Sequence, residues 1–266
     1  MDDAIYTHLQ LREIFHLEFL RWLGRKIKQE NYVLKGGVNL RFFFNSFRYS
    51  EDMDLDAGRI QMHALKDAAM GILEARSFQE SLKPFGIEKI VPPDIGKAKQ
   101  TETTQRFKVH LLTSAGEDLF TKVEFSRRGF NGSLAIEPVS DTVLRAYKLS
   151  PLLCPHYVAS SAVFQKVKAL AMRSAVQARD VFDLYVLTPQ TNLSSRSSKV
   201  FTLKMTQSLL ERARENALEI SFEQFRDTVV SYLAPEDRSV YDKAAAWDEI
   251  KLRVSDFLER AGKSNA

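Results

Sequence analysis

The chain has 266 residues, 44% of them hydrophobic and 27% charged, which is typical of a folded globular protein and excludes a collagen-like or disordered one. No apolar run reaches the roughly 20 residues that a membrane-spanning helix needs, so we expect no membrane association. The single cysteine, Cys154, excludes an internal disulfide and favours a reducing compartment, with the cytoplasm as the expected location. A net charge of +4 is compatible with binding nucleic acid or nucleotide but does not require it.

The N-terminal part predicts a helix, a strand and a glycine turn in that order. Apolar residues recur at helical spacing from about residue 5 to residue 29, and Tyr32-Val33-Leu34 then indicates a short strand. Gly36-Gly37 follows and predicts a turn into a helix whose N-terminus faces an anion, since glycine lets backbone N–H groups approach a triphosphate closely. A plain strand-to-helix turn is the alternative. We expect four aromatic residues to pack this helix into the core: Phe42, Phe43, Phe44 and Phe47.

The next stretch carries an acid at every second position. Asp52, Asp54 and Asp56 alternate with Met53 and Leu55. In a strand, residues two apart share a face and lie about 7 Å from each other, so all three carboxylates point one way. Their mutual repulsion costs free energy unless a cation lies between them, and Mg²⁺ is the usual cation for such oxygen ligands. The order of glycine pair and alternating acids is typical of nucleotidyltransferases.

The nucleotidyltransferase pattern, which this order resembles, has a third acid on a neighbouring strand. Residues 106–111 and 118–125 alternate like half-exposed strands around a turn at 114–117, which predicts a hairpin. Glu124 stands between two apolar residues in the second of these strands. It is a candidate metal ligand or general base, and an exposed strand charge is the alternative.

The rest of the chain is mostly helical in pattern, apart from a strand at 87–91 and polar loops at 96–104 and 192–199. We predict a mixed α/β domain over residues 1–150 and a helical C-terminal domain over 151–266. The predicted helices span residues 61–82, 141–148, 158–173, 201–217, 222–233 and 247–258, and a further helix opens at Arg179.

Three segments together resemble the AbiEii/AbiGii family of nucleotidyltransferase-like toxins. They are LKGGVNLRFFF, FRYSEDMDLD and QKVKALAMRSAVQARDVFDLY, against family patterns LKGGTALRLFF, RFSEDIDLD and EKLxAL…R…RDLYDLY. The matching parts run from about Tyr32 to Leu187, which is most of the chain. Each motif alone is weak evidence, but their combination and order are specific.

The resemblance implies a nucleotidyltransferase fold, with a mixed sheet and flanking helices, followed by a mostly helical C-terminal half. It also implies an Mg²⁺-dependent nucleotidyltransferase toxin of a bacterial toxin–antitoxin or abortive-infection pair. It implies transfer of a nucleotide from an NTP to an acceptor, which is tRNA in related toxins, and a cognate antitoxin protein as a possible partner. A non-catalytic nucleotide- or RNA-binding module of the same fold remains an alternative. So does an enzyme of this class that acts on a protein hydroxyl.

The resemblance also assigns roles to individual residues. Lys166 matches the family lysine that would hold the triphosphate, and Asp180 matches an aspartate that would orient this lysine or act during transfer. Lys168 lies about 200° away around the same helix, so only one of the two lysines can face the site. Asn39 and Gln165 depart from the family pattern without replacing a candidate ligand. The other matched positions are the phosphate-side Gly36 and Gly37, the Ser50–Asp52 pair, and the second acid Asp54.

Overall fold

The structure is a computed structural model that describes residues 6–96, 100–190 and 205–263. Contacts divide the chain into two units. The first unit comprises the described residues of Met1–Phe43 and Tyr49–His156, and the second comprises those of Phe44–Arg48 and Tyr157–Ala266. The chain therefore leaves the first unit for five residues between a helix and the acidic strand, and returns to it at Tyr49.

The first unit is built on a mixed sheet with flanking helices. Its elements are α1 (His8–Lys26), β1 (Tyr32–Lys35), α2 (Gly36–Phe43), β2 (Met53–Ala57), α3 (Met62–Leu73), α4 (Arg76–Leu82), β3 (Ile87–Val91), β4 (Gln100–Thr101), β5 (Thr104–Thr113), β6 (Asp118–Ser126), β7 (Leu134–Pro138), α5 (Asp141–Ala146) and β8 (Leu153–Tyr157). The strand order is β3-β5-β6-β2-β1-β8-β7, and β4 pairs with β5 outside this path. The acidic strand β2 runs antiparallel to β1 and parallel to β6.

The first helix covers the sheet and is buried along most of its length. Thr7 caps it in a reciprocal arrangement with Gln10, in which each side chain accepts a hydrogen bond from the other residue's backbone N–H. Ile14, Phe15 and Phe19 are fully buried, so the helix predicted for this segment packs against the core.

The second unit is helical where it is described. Its core contains Trp247, whose ring stacks on Phe225 with the ring centroids 4.3 Å apart and whose indole N–H donates to the Ile220 carbonyl over 3.0 Å. The mixed α/β class and the mainly helical C-terminal half are both as predicted. The helices are α6 (Ala159–Met172), α7 (Ala178–Leu187), α8 (Gln207–Glu219), α9 (Phe222–Thr228), α10 (Pro235–Tyr241) and α11 (Ala244–Lys263).

Several predicted elements differ from the observed ones. The helix expected over 61–82 is two helices, because Ala75 has an extended backbone, and the Gln79 side chain donates to the Leu73 carbonyl that the break leaves open. The predicted helix 222–233 ends at Thr228 and is followed by a single 3₁₀ turn. Strand β4 lies within a predicted loop. The predicted loop 192–199 and the start of the predicted helix 201–217 lie outside the described residues.

The prediction for the four phenylalanines is partly wrong. Phe42 is buried in α2, and Phe43 stacks on His156 with the ring centroids 3.6 Å apart. The helix ends at Phe43, so Phe44 and Phe47 do not belong to it. Phe47 instead packs in the second unit, with its ring centroid 5.2 Å from that of Phe182.

Candidate active site

The acids of β2 lie on the face of the strand opposite its apolar residues. Met53 and Leu55 are fully buried on the core side, whereas Asp52 and Asp54 are only partly buried. Asp56 is the most buried of the three acids, at 6% exposure. The predicted alternation is therefore present, although Asp52 itself immediately precedes the strand.

Strand register brings the third predicted acid beside the second. Asp54 is paired with Glu124 of β6 and, on its other side, with Lys35 of β1. Glu124 is in turn paired with Arg106 of β5. Directly opposite residues share a sheet face, so Lys35, Asp54, Glu124 and Arg106 form one row across four neighbouring strands. Opposite charges adjoin at both ends of this row, and the two carboxylates adjoin at its centre.

Three of the four acids on this face are neutralised by a basic side chain. Lys122 Nζ lies 2.8 Å from Asp52 Oδ2, and Arg106 Nη2 lies 2.6 Å from Glu124 Oε2. Lys35 makes a short contact with Asp56. The acids are therefore held in place by cations that neighbouring strands supply.

Asp54 differs from the other acids in having no such partner. Among the described residues, no hydrogen bond or ion pair engages its carboxylate. Burial raises the pKa of Asp54 above its ordinary value, while Lys35 and Lys122 oppose that shift and the neighbouring carboxylates reinforce it. A carboxylate in this position gains more from an added cation than one that is already paired.

Gly36 approaches this carboxylate closely. It opens α2 with a φ of +70°, in the left-handed region, and an added Cβ would lie 3.3 Å from Asp54 Oδ2. Gly37 is the second residue of the same helix. The predicted glycine turn is thus a strand-to-helix junction whose backbone lies beside the central acid.

The backbone of Glu51, between Ser50 and Asp52, is held by a buried polar chain. Ser50 is partly buried and lines a small depression with His16 and Arg41. The Thr121 hydroxyl donates to the Glu51 carbonyl over 2.7 Å, and His16 Nε2 lies 3.0 Å from the same hydroxyl oxygen. Because that hydroxyl proton is already given to Glu51, neutral His16 donates to it.

The acids offer oxygen ligands without forming a closed metal site. Within the described ranges, no three His, Cys, Asp or Glu side chains converge in a way that could hold an ion. Two features nevertheless fit a divalent cation. Asp52 Oδ1 is buried with no hydrogen-bond partner, and the Asp54 carboxylate is unengaged. Both Arg106 contacts to Glu124 are made to its Oε2, so an ion that leaves this pair intact would bind Oε1.

A second polar cluster lies in the second unit, around Lys166. Its ammonium group is 3.0 Å from Asp180 Oδ1 and 2.5 Å from Asp183 Oδ2. Arg48 contacts both Asp183 oxygens, at 3.0 and 3.2 Å, and Arg173 contacts Asp180 Oδ2 at 2.7 Å. The aspartate predicted to orient Lys166 is therefore in contact with it.

The cluster is charged in spite of its burial. Although burial opposes ionisation of both groups, Asp183 and Asp180 raise the pKa of Lys166, and Arg48 and Lys166 lower the pKa of Asp183. The competing residue Lys168 is exposed on the same helix. Of the two lysines, Lys166 is the one that faces the buried acids.

The sequence pattern assigns no role to the basic partners Lys122, Arg106 and Arg48. Asp183 carried a weak signal, because it lies three residues after Asp180 and therefore on the same helix face. The signal for Lys122 was its position two residues before Glu124, on the same face of the strand.

No helix in the described part of the chain is long and apolar enough to cross a bilayer.

Comparison with known proteins supports one family. The model of the family described as nucleotidyl transferase AbiEii toxin, type IV toxin–antitoxin system, matches residues 18–252. No curated protein is significantly similar in sequence.

Solved structures show the same fold. MenT4, nucleotidyltransferase toxin Rv2826c from Mycobacterium tuberculosis H37Rv, is 17% identical over 99% of this chain and 89% of that chain, with a TM-score of 0.64. JHP933 from Helicobacter pylori is 17% identical over 98% of this chain and 95% of that chain, with a TM-score of 0.56. Because the family match covers most of the sequence, this chain belongs to the AbiEii family and is a nucleotidyltransferase toxin of a type IV toxin–antitoxin system.

Proposed function

We propose that this toxin transfers a nucleotide from an NTP to tRNA in an Mg²⁺-dependent reaction at the acidic face of the sheet. One observation carries the proposal. Asp54 has no partner among the described residues, and Asp52 beside it has a buried oxygen without one, next to the glycine that opens α2. Partly buried carboxylates left in this state are arranged to accept a cation.

In this proposal Asp52 and Asp54 hold the ion. When bound, Mg²⁺ would neutralise charge on the phosphates of the NTP. Glu124 is the third acid, serving as a ligand or as the base for the acceptor hydroxyl. The parallel pairing of β2 and β6, which places Glu124 beside Asp54, supports this assignment.

The remaining predicted residues bind the nucleotide. Gly36 and Gly37 supply backbone next to the phosphates, and the Ser50 hydroxyl supplies a donor. Lys166 binds the triphosphate, and Asp180 orients its ammonium group, in agreement with the 3.0 Å contact between them. We also propose that residues 1–150 act as the transferase domain and residues 151–266 as the helical domain.

Transfer RNA is the acceptor that family resemblance favours, and the net charge of +4 is compatible with it. A cognate antitoxin is the expected protein partner, since the family belongs to two-component toxin–antitoxin systems. Action on tRNA and NTPs implies that the protein works in the cytoplasm.

The test is a transfer assay with each α-labelled NTP, Mg²⁺ and total bacterial RNA. We expect the wild-type protein to label a tRNA-sized band with one preferred NTP, and Asp52→Ala to lose the label, because that substitution removes an ion ligand. Asp67→Ala, an exposed acid on α3 with no ion pair among the described residues, is the matched control and should keep full activity.

The other outcomes of this assay decide between the alternatives. Label on a protein band would replace tRNA by a protein hydroxyl as the acceptor. Full labelling of tRNA by Asp52→Ala would overturn the assignment of the site. Bound NTP without transfer to any acceptor would favour the non-catalytic module.

A further inference from the structure

The ammonium group of Lys122 contacts Asp52, a proposed metal ligand, and so neutralises a carboxylate that a metal ion would otherwise bind. Lys122 Nζ lies 2.8 Å from Asp52 Oδ2, while Asp52 Oδ1 is buried without a partner. No other ion pair involves Lys122 in the part of the chain that the structure describes. One oxygen of this carboxylate is thus neutralised from within the protein, and the other is left open.

The position of Lys122 follows from strand register. Met53 is paired with Val123 in the parallel β2–β6 ladder, so the residues that precede them, Asp52 and Lys122, are neighbours on the opposite face. The side chain of Lys122 is 22% exposed and that of Asp52 is 32% exposed, so both are reachable from solvent. A small ion could therefore displace the lysine without unfolding the sheet.

A lysine on the next strand shows that a basic residue on this face need not be paired. Lys108 of β5 lies directly opposite Lys122, is exposed, and has no ion pair among the described residues. The pairing of Lys122 with Asp52 is therefore specific to its place beside the acids.

We propose that Lys122 is an exchangeable counter-ion, which neutralises Asp52 in the metal-free protein and gives up this carboxylate when a divalent cation binds. This inference rests on the proposed function. Two cations on one carboxylate repel each other, so Lys122 must swing away for the ion to use both oxygens of Asp52. The displaced ammonium group stays on the same face of the sheet, where a phosphate group of the NTP can accept it.

The exchange couples metal binding to nucleotide binding. Without nucleotide, the displaced ammonium group has no anion to contact. Binding of the metal alone is therefore weakened by the free energy needed to break the Lys122–Asp52 ion pair. With nucleotide present, a phosphate replaces Asp52 as the partner of Lys122 and the cost is removed. By linkage, each of the two ligands then strengthens the binding of the other.

The test is a titration with Mn²⁺ alone, in which electron paramagnetic resonance measures the free ion at neutral pH. We expect Lys122→Met to bind Mn²⁺ about tenfold more tightly than the wild type, because the competing charge is gone. Lys122→Arg retains the charge and should stay near the wild-type affinity. Lys108→Met, the matched control that removes a neighbouring unpaired lysine, should change the affinity far less than Lys122→Met does.

A repeat of the titration with a non-hydrolysable NTP analogue tests the coupling. The analogue should strengthen Mn²⁺ binding in the wild type more than in Lys122→Met. If Lys122→Met does not fold, as judged by circular dichroism, Lys122→Gln takes its place, since it removes the charge and keeps a polar side chain.

Asp52→Asn separates the two ways in which this experiment can fail. If Asp52→Asn binds Mn²⁺ as well as the wild type does, the metal site itself is wrongly placed and the proposed function fails. If Asp52→Asn loses Mn²⁺ but Lys122→Met binds no more tightly than the wild type, the site stands and the counter-ion exchange is overturned.

Discussion

At the residue scale, His16 is a buried neutral side chain whose contacts lead to the proposed metal ligand. It is 1% exposed and reaches Thr121, whose hydroxyl holds the Glu51 carbonyl next to Asp52. Burial, together with the nearby charge of Arg12, lowers the pKa of His16 to about 3. The unfolded chain takes up this proton below the ordinary histidine pKa of about 6.5, whereas the folded chain does not.

This difference makes the free energy of unfolding fall as the pH drops from about 6.5 towards 3, by up to about 1.4 kcal/mol per pH unit. The unfolded state binds more protons than the folded state in this window, so the free energy of unfolding rises with pH. Between pH 7.5 and pH 5, we expect the free energy of unfolding to fall by about 2 kcal/mol more in the wild type than in His16→Gln. Urea unfolding at both pH values measures this difference.

Other groups also titrate in this range, so the comparison between variants carries the result. His63→Gln, an exposed histidine on α3, should lose as much stability as the wild type. An identical loss in His16→Gln and the wild type would show that burial does not hold His16 neutral.

At the scale of elements, the junction of β1 and α2 brings backbone against a carboxylate. Gly36 adopts a φ of +70°, and the space for a Cβ is limited by Asp54 Oδ2 at 3.3 Å. Both facts require glycine, the first through backbone strain and the second through contact with the acid. Glycine is thus required at this turn for steric reasons, in addition to the close approach of backbone to phosphate that the sequence predicts.

We expect Gly36→Ala to lower the free energy of unfolding by about 1–2 kcal/mol and to reduce nucleotide transfer, because the methyl group pushes on Asp54. Gly71→Ala is the control of opposite sign. Gly71 lies in α3 with open space around a Cβ, so alanine should stabilise the protein by about 0.5–1 kcal/mol. Urea unfolding measures both changes, and a Gly36→Ala protein as stable and active as the wild type would contradict the argument.

At the scale of the whole molecule, the second unit depends on a segment that is distant in sequence. Phe44–Arg48 belongs to it by contacts, and Arg48 forms a two-oxygen ion pair with the fully buried Asp183. The second unit is therefore assembled from two stretches of chain separated by more than a hundred residues. Lys166 shares Asp183 with Arg48, so two cations contact this one buried carboxylate.

We expect Arg48→Met to cost about 3 kcal/mol of stability in the second unit, because breaking a buried pair leaves a poorly compensated charge. Lys166 remains beside Asp183, which keeps the cost at the lower end of the usual range. Hydrogen exchange of the α6 and α7 amides in the full chain measures the change. Arg76→Met removes an exposed arginine 3.8 Å from Glu80 and should cost no more than about 0.5 kcal/mol. Equal protection in the two variants would contradict the buried-pair argument.

Local pattern was enough for the elements that lie beside the acids. The helix α1, the strand β1, the helix opening at Gly36 and the β5–β6 hairpin all follow from periodicity and turn residues, which act over a few positions. Strands β7 and β8 were not predicted. Pro155 lies inside β8 and argues against a strand, and the apolar residues Leu134 and Ile136 of β7 are exposed, so neither strand has the usual signal.

By itself the sequence determined which acids share a face, which lysine of α6 is the better candidate, and the family, because these depend on spacing and order along the chain. Only the tertiary structure decided which cation neutralises which acid. Asp52 with Lys122, Glu124 with Arg106, and Asp183 with Arg48 are joined by strand register or by the return of a distant segment. Ion pairing depends on the distance between two groups in space. For residues far apart in sequence, no local pattern predicts that distance.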